Sequence, residues 1–390
     1  MRRWMAAPTL FAAAALTLTG DTPTARAQPP GPEEVSFDTA DGVRLKGLFH
    51  KGRPVDPAPK AGANDPMVPR GGPTDPVVIL LYPPGVGNTM DKPGDWAGLA
   101  KTLNDKGYHV FRFDWRGHGK SSDVTDTDLF WRTGLTAPWN QKYIKPAKGK
   151  AVKNELRVKD DIVPRDLPHY LPVYVNDLAA VRMYLDQRND QGDLNTSSIY
   201  LIGSGDAATI GTLWLTAEWH RPAIAPLLGA GVQMKVVPTN GIVADPPAGQ
   251  DIAGAVWLSA ARSTGIPAQS MTRWTAQYAT KLREVNPMLF LYGQGDTAAA
   301  AQSDFFYKQV LVAAGNKQLG VKELEQTFIK PIPGSKLNGA ALLGNDAMLG
   351  TETRITEYLA ARQKDRVNKT VKKRTYVSPY FIDLSFFGIR

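Results

Sequence analysis

The chain is poor in the side chains that usually carry chemistry, and the ones it has sit in glycine-rich settings. It holds no cysteine and five histidines, His50, His109, His118, His169 and His220. Without thiols, disulfide scaffolds, thiolate zinc sites, iron–sulfur clusters and cysteine nucleophiles are excluded. No two histidines share a short helical spacing, so no metal site is expected and no other cofactor is called for. Hydroxyl and carboxylate chemistry remains. Ser204 and Asp206 lie in Gly203-Ser-Gly-Asp-Ala207, directly after the apolar run Ile199 to Ile202. Asp296 closes a similar pattern, Leu289-Phe-Leu-Tyr-Gly-Gln-Gly-Asp296. A serine hydroxyl needs an imidazole to take its proton before it attacks a carbonyl. A carboxylate can attack directly, but hydrolysing the resulting ester also needs a base. No histidine follows Asp296.

These residues must be positioned by a scaffold, and its pattern is legible. Val35 to Phe49 reads as a hairpin around an Asp41-Gly42 turn. Pro76 to Tyr82 is a continuous apolar run, as a strand buried on both faces requires. Trp96, Leu99, Ala100 and Leu103 follow helical spacing, with Gly107 closing that helix. Tyr108 to Phe113 and Ile199 to Ile202 read as further strands, separated by a helix through Leu178, Val181 and Leu185. Ala207 to Trp219 is a helix, Ala255 to Leu258, Met288 to Tyr292 and Gln326 to Ile332 are strands, and Glu352 to Ala361 closes the pattern as a helix. Such alternation specifies an α/β fold with a mainly parallel, twisted sheet and helices on both faces.

Three stretches depart from the alternation. Residues 51–76 carry seven prolines and four glycines and read as an exposed loop. Residues 122–171 form a cap-type insertion, with seven bases against one acid, Glu155, between Lys142 and Lys159; this run reads as a solvated loop. Pro222 to Gln250 is a second insertion, rich in Pro, Gly and Ala.

The two ends are distinctive. Arg2 and Arg3 precede an apolar run from Met5 to Leu18, and Ala25-Arg26-Ala27 supplies a small-x-small site, so residues 1–27 read as a signal peptide. The protein is therefore expected to be exported, periplasmic or secreted, with no membrane association after cleavage. The formal net charge of +9 is concentrated: seven bases and one acid, Asp365, lie between Arg362 and Arg374. The body carries no broad basic field, and no nucleic-acid partner is expected. Residues 28–365 form the α/β domain, and residues 366–390 a tail that is first basic and then aromatic. The tail's Tyr380, Phe381, Phe386 and Phe387 are expected to pack on the body or to meet a protein partner, with Lys369 to Arg374 solvated.

In the order of its motifs the sequence resembles the α/β-hydrolase family. Phe37-Asp-Thr-Ala-Asp-Gly-Val-Arg-Leu45 is similar to that family's opening hairpin. Tyr82-Pro-Pro-Gly-Val-Gly-Asn88 stands where the oxyanion loop follows the third strand, which implies Gly85, Val86 and Gly87 as its oxyanion residues. Phe113-Asp-Trp-Arg-Gly-His-Gly-Lys-Ser121 resembles the family's Asp-x-Arg-Gly-His-Gly-x-Ser signature, and Ile199 to Ala208 falls where the nucleophile elbow belongs.

The resemblance implies a triad in the order Ser, Asp, His, and the matching positions here are Gly205, Asp296 and Asn338. Glycine has no side chain to attack with, and an amide is no general base near neutral pH. The implied function is a binding or scaffold protein with a degenerate triad, holding a small-molecule ligand in a vestigial pocket. The alternative is a working hydrolase of ester or peptide bonds that uses Asp206, flanked by the small Ser204 and Ala208, or an unrecognised base. Ser204 as nucleophile would need the frame shifted by one residue, with Ile202 and Asp206 where small residues belong. His118 reads as a structural turn residue, His109 as a strand residue, and His220 as a cap on the last carbonyls of its helix.

Overall fold

The computed structural model describes residues 31–54, 69, 71–85, 87–145, 153–223, 234–236, 246–263, 265–311, 328–364, 366, 374 and 380–387. The leader expected at residues 1–27 and most of the 51–76 loop lie outside the described residues, as does Val86. Eight strands form one sheet: β1 (Glu33–Asp38), β2 (Arg44–His50), β3 (Pro76–Leu81), β4 (His109–Phe113), β5 (Asn195–Gly205), β7 (Ile252–Ala260), β8 (Met288–Gly293) and β9 (Phe328–Ile332). Their spatial order is β1-β2-β4-β3-β5-β7-β8-β9. The opening hairpin β1–β2 is antiparallel and joins β4 antiparallel; every pairing from β4 onward is parallel.

The apolar runs become strands buried on both faces because alternate side chains enter two separate cores. On one side Val77, Ile79 and Leu81 of β3 meet Ile199 and Leu201 of β5, Trp257 of β7 and the helices Val175–Asp190 and Ala207–Trp219. On the other, Val78, Leu80, Tyr200, Ile202, Val256 and Leu258 pack under the helices Trp96–Asp105 and Thr351–Lys364. At about 1.5–3 kcal/mol for each fully buried aliphatic side chain, this double burial is what holds the strand ends in place.

The 122–171 insertion folds over the ends of β2 and β4 with three short helices, Ala137–Tyr143, Val158–Asp161 and Leu167–Tyr170. In its basic run Lys142, Lys145, Arg157 and Lys159 are exposed, whereas Lys153 pairs with Asp161.

The tail corrects the expectation of a free basic connection. Within the second insertion a short strand β6 (Met234–Val236) pairs in parallel with β10 (Tyr380–Ile382). Asn176 receives the Ile382 N–H on its Oδ1 at 2.8 Å and returns a bond from Nδ2 to the Ile382 carbonyl at 3.2 Å. Tyr380, Phe381, Ile382 and Leu384 are buried. The Tyr380 hydroxyl donates to Glu218 Oε1 at 2.7 Å, and Glu218 pairs with Arg221 at 2.6 Å. Arg374, expected in solvent, is fully buried: its Nη2 lies 3.0 Å from Asp251 Oδ1 and donates to Ser197 Oγ at 2.9 Å. Arg182 binds the second oxygens of Asp186 and Asp251 at 2.7 and 3.0 Å, so two guanidinium groups and two carboxylates balance one another. Arg366 is buried as well and donates to the carbonyls of Ser197 and Gln250. A basic composition reads Arg374 as solvated; its partners sit on other elements. Lys369, Lys372, Lys373 and the side chains of Phe386 and Phe387 lie outside the described residues.

Candidate functional site

Strand β5 runs out at Gly205, whose φ of +57° turns the chain sharply into the helix Ala207–Trp219. Glycine takes that conformation without the penalty a Cβ would bring. The turn itself is crowded: a Cβ on Gly203 would meet Trp257, Leu81 and Ala207 at 3.1–3.3 Å. Gly205 is the open position, with Pro83 Cβ at 3.5 Å the nearest neighbour a Cβ would find. Asp296 sits past the end of β8 and caps the helix Thr297–Phe305, its Oδ1 accepting the Ala299 N–H at 3.0 Å. Asn338 follows β9, exposed, at the start of the short helix Gly339–Leu342. Gly205, Asp296 and Asn338 line one open cavity of about 450 Å³ at the carboxyl ends of the parallel strands, where sheets of this kind bind ligands.

An alpha/beta hydrolase fold family pattern matches residues 78–187, from β3 to the helix Val175–Asp190. The chain has the α/β-hydrolase fold. Solved structures that resemble it include Est1E from Butyrivibrio proteoclasticus with bound ferulic acid, at 14% identity, a TM-score of 0.43 and coverage of 86% of this chain and 100% of that one. An esterase from Pyrococcus furiosus aligns at 15% identity and a TM-score of 0.36, covering 85% of this chain and 90% of the other. Dipeptidyl peptidase 4 from Porphyromonas gingivalis aligns at 13% identity and a TM-score of 0.41, covering 86% of this chain and 35% of that protein. No curated protein matches by sequence.

Within the hydrolase fold the loop after β3 is held at three points by the turn after β4. Trp115 Nε1 donates to the Tyr82 carbonyl at 2.8 Å, Asp114 Oδ1 accepts the Met90 N–H at 2.8 Å, and His118 Nε2 accepts the Gly85 N–H at 3.0 Å. His118 Nδ1 lies 3.0 Å from the Arg116 carbonyl, so the ring is neutral with its proton on Nδ1. Burial pushes its pKa below the ordinary histidine value, outweighing the backbone contacts that raise it. Arg116 in turn is locked between Asp41 at 2.6 Å and Asp177 at 2.7 Å, all three fully buried. Burial alone would raise Asp41, but the Arg116 guanidinium and the Thr136 and Thr39 hydroxyls hold it below the usual carboxylate range.

The residues that the resemblance placed together line two cavities. Gly85 and Gly87 line a second cavity, of about 570 Å³, between the loop and the insertion residues Arg157, Val158, Ile162 and Leu167; Pro83 and Asn88 are what the loop contributes to the elbow cavity. Asp206, the alternative nucleophile, stands at the start of the elbow helix and makes no side-chain cap bond; it is not among the residues lining the elbow cavity. Burial raises its pKa.

No histidine lines the elbow cavity either. His109 is buried in β4, where its Nδ1 accepts the Gly52 N–H at 3.1 Å and its Nε2 lies 2.9 Å from the Gly72 carbonyl, joining the two ends of the Pro/Gly-rich loop. His50 accepts from Arg112 Nε at 3.1 Å, and His169 stacks on Tyr143. His220 is the C-cap of the helix Ala207–Trp219, as expected, with its backbone N–H donating to the Ala217 carbonyl at 3.0 Å, while its ring packs on Trp274 and Tyr278. Among the described residues no cluster of three or more His, Asp or Glu is placed to hold a metal, and no helix is long and apolar enough to cross a membrane.

The residues missed in the sequence are Ser259 and Gln302. Ser259, at the end of β7, is the only non-glycine among the described residues with positive φ, +45°. Its Oγ, the Ser204 Oγ and the Gln302 Oε1 are buried without hydrogen-bond partners among the described residues, and all three residues line the elbow cavity. Position at a strand's carboxyl end was the one available signal for Ser259; backbone sign is invisible in sequence.

Proposed function

We propose that this is an exported α/β-hydrolase-fold protein that binds a small molecule at the strand ends without cleaving it. The observation that carries the reading is the elbow itself: Gly205 stands at the turn with φ +57°, and the residue of the loop after β9 that lines the same cavity in the histidine-equivalent position is Asn338. Attack on a carbonyl needs a nucleophile and a base within hydrogen-bond reach, and loss of both costs several orders of magnitude in rate. The loop after β3 supports the same reading. An oxyanion hole uses unoccupied N–H groups aimed at developing charge, and the Gly85 N–H is already bonded to His118. Asp296, the remaining acidic position, serves as a helix cap. The leader-like sequence at residues 1–27 supports export. Turnover of p-nitrophenyl acetate tests the reading: the purified protein should not exceed a buffer control. Robust turnover that disappears in Asp206→Asn would establish the aspartate mechanism instead.

A further inference from the structure

We infer that the elbow cavity is built for an uncharged, polyhydroxylated small molecule, with Ser204, Ser259 and Gln302 as its specificity-determining residues. The inference rests on the non-catalytic binding reading and deepens it. Ser204 is 1% exposed and Ser259 8%, neither hydroxyl has a partner among the described residues, and both residues line the cavity. Leaving a buried hydroxyl unbonded is costly, and such groups are normally satisfied by protein, water or ligand. Gln302 adds an orphaned acceptor oxygen on the same wall. The strain at Ser259 is the second observation. A non-glycine residue at φ +45° stores about 1 kcal/mol or more, and glycine at that position would relieve it. The chain instead keeps a residue whose hydroxyl has no partner among the described residues.

The charge balance selects the ligand class. Asp296 is the one charged residue among the described residues of the lining, so none of these offers a cation to a carboxylate or phosphate. Its carboxylate is partly committed to Ala299 and stands at a helix N-terminus, which offsets its pull on an ammonium. The rest of the polar lining both donates and accepts: two serine hydroxyls, the Gln302 oxygen, and the Asn88 and Asn338 amides. Hydroxyl groups are the ligand functions that answer both needs, and the alanines at 260, 261, 298, 299, 340 and 341 supply apolar wall for a carbon skeleton. A cavity of about 450 Å³ falls in the range of small-molecule sites.

The test uses the mature full-length protein, myo-inositol as the neutral polyol probe and hexanoate as the anionic control, observed by saturation-transfer NMR and titration. Wild-type protein should bind myo-inositol and not hexanoate. Ser259→Gly should weaken myo-inositol at least about tenfold, the worth of one hydrogen bond, while melting at the same or a higher temperature. Ser204→Ala should weaken it similarly and provides a second reading if Ser259→Gly melts lower. Binding of myo-inositol that is unchanged in both variants, hexanoate binding of equal strength, or no myo-inositol binding at all would overturn the inference. Ester turnover, measured on the same preparation, reports on the non-catalytic reading separately.

Discussion

Replacing Arg374 by methionine should destabilise the fold although the residue lies in a segment that looks like a solvated tail. Arg374 and Arg182 share Asp186 and Asp251 in a site where every side chain is at least nine-tenths buried. With both arginines present the cluster is neutral; with methionine it holds one uncompensated buried carboxylate, a change that costs about 3–5 kcal/mol in comparable settings. Unfolding entropy near 2.1 cal/mol/K per residue over the unit Pro32–Arg390 gives about 0.75 kcal/mol per kelvin. Arg374→Met should therefore lower the melting temperature by about 4–7 °C, read by circular dichroism or calorimetry. Adding Asp251→Asn restores charge balance and should recover part of the loss, so the two changes should be non-additive. A single variant that melts within about 1 °C of wild type, or strict additivity in the pair, would refute the buried clamp.

Three further outcomes follow from the same geometry. Gly205→Ser combined with Asn338→His should give weak but measurable ester turnover. Space for the new side chain exists, positive φ adds about 1 kcal/mol of strain, and the committed Gly85 N–H keeps the rate low; activity matching an efficient esterase would contradict the picture of an occupied oxyanion loop. His118→Ala should release the Gly85 amide, seen as faster hydrogen exchange at Gly85 with Tyr82 unaffected, and the wild-type ring should take up its proton at a lower pH than an ordinary histidine; unchanged exchange would show that the contact does not hold the loop. Asp206→Asn should be at least as stable as wild type at pH 7. The folded pKa of Asp206 lies above the unfolded 3.8, so its contribution to stability declines as pH rises through the folded value and is lowest when it is ionised. A loss above about 1 kcal/mol on urea titration would show that the carboxylate has a partner role.

Much of the scaffold was legible because burial on two faces imposes continuous apolar runs, and those runs end within one residue of the ends of β3, β4 and β8, whereas β5 continues past Ile202 to Gly205. Glycine at the elbow was legible for the same reason: the motif fixes where a positive φ is needed. Arg374 was not, because its meaning depends on Asp186 and Asp251, which only the folded chain brings to it. The second cavity beside the loop after β3 also escaped, since sequence order placed Gly85 and Gly87 at the elbow and did not show the bond from the Gly85 N–H to His118. Ser259 escaped because a strained φ leaves no mark on composition.

The central claim is that the elbow lacks a working nucleophile, and intact-mass analysis after exposure to a fluorophosphonate probe addresses it most directly. An activated serine forms a covalent adduct with loss of fluoride; an ordinary one does not. The wild-type protein should keep its mass after prolonged exposure, while the Gly205→Ser, Asn338→His pair gains one adduct at the elbow. A stoichiometric adduct on the wild-type chain, mapped by peptide sequencing to Ser204 or Ser259, would contradict the non-catalytic reading.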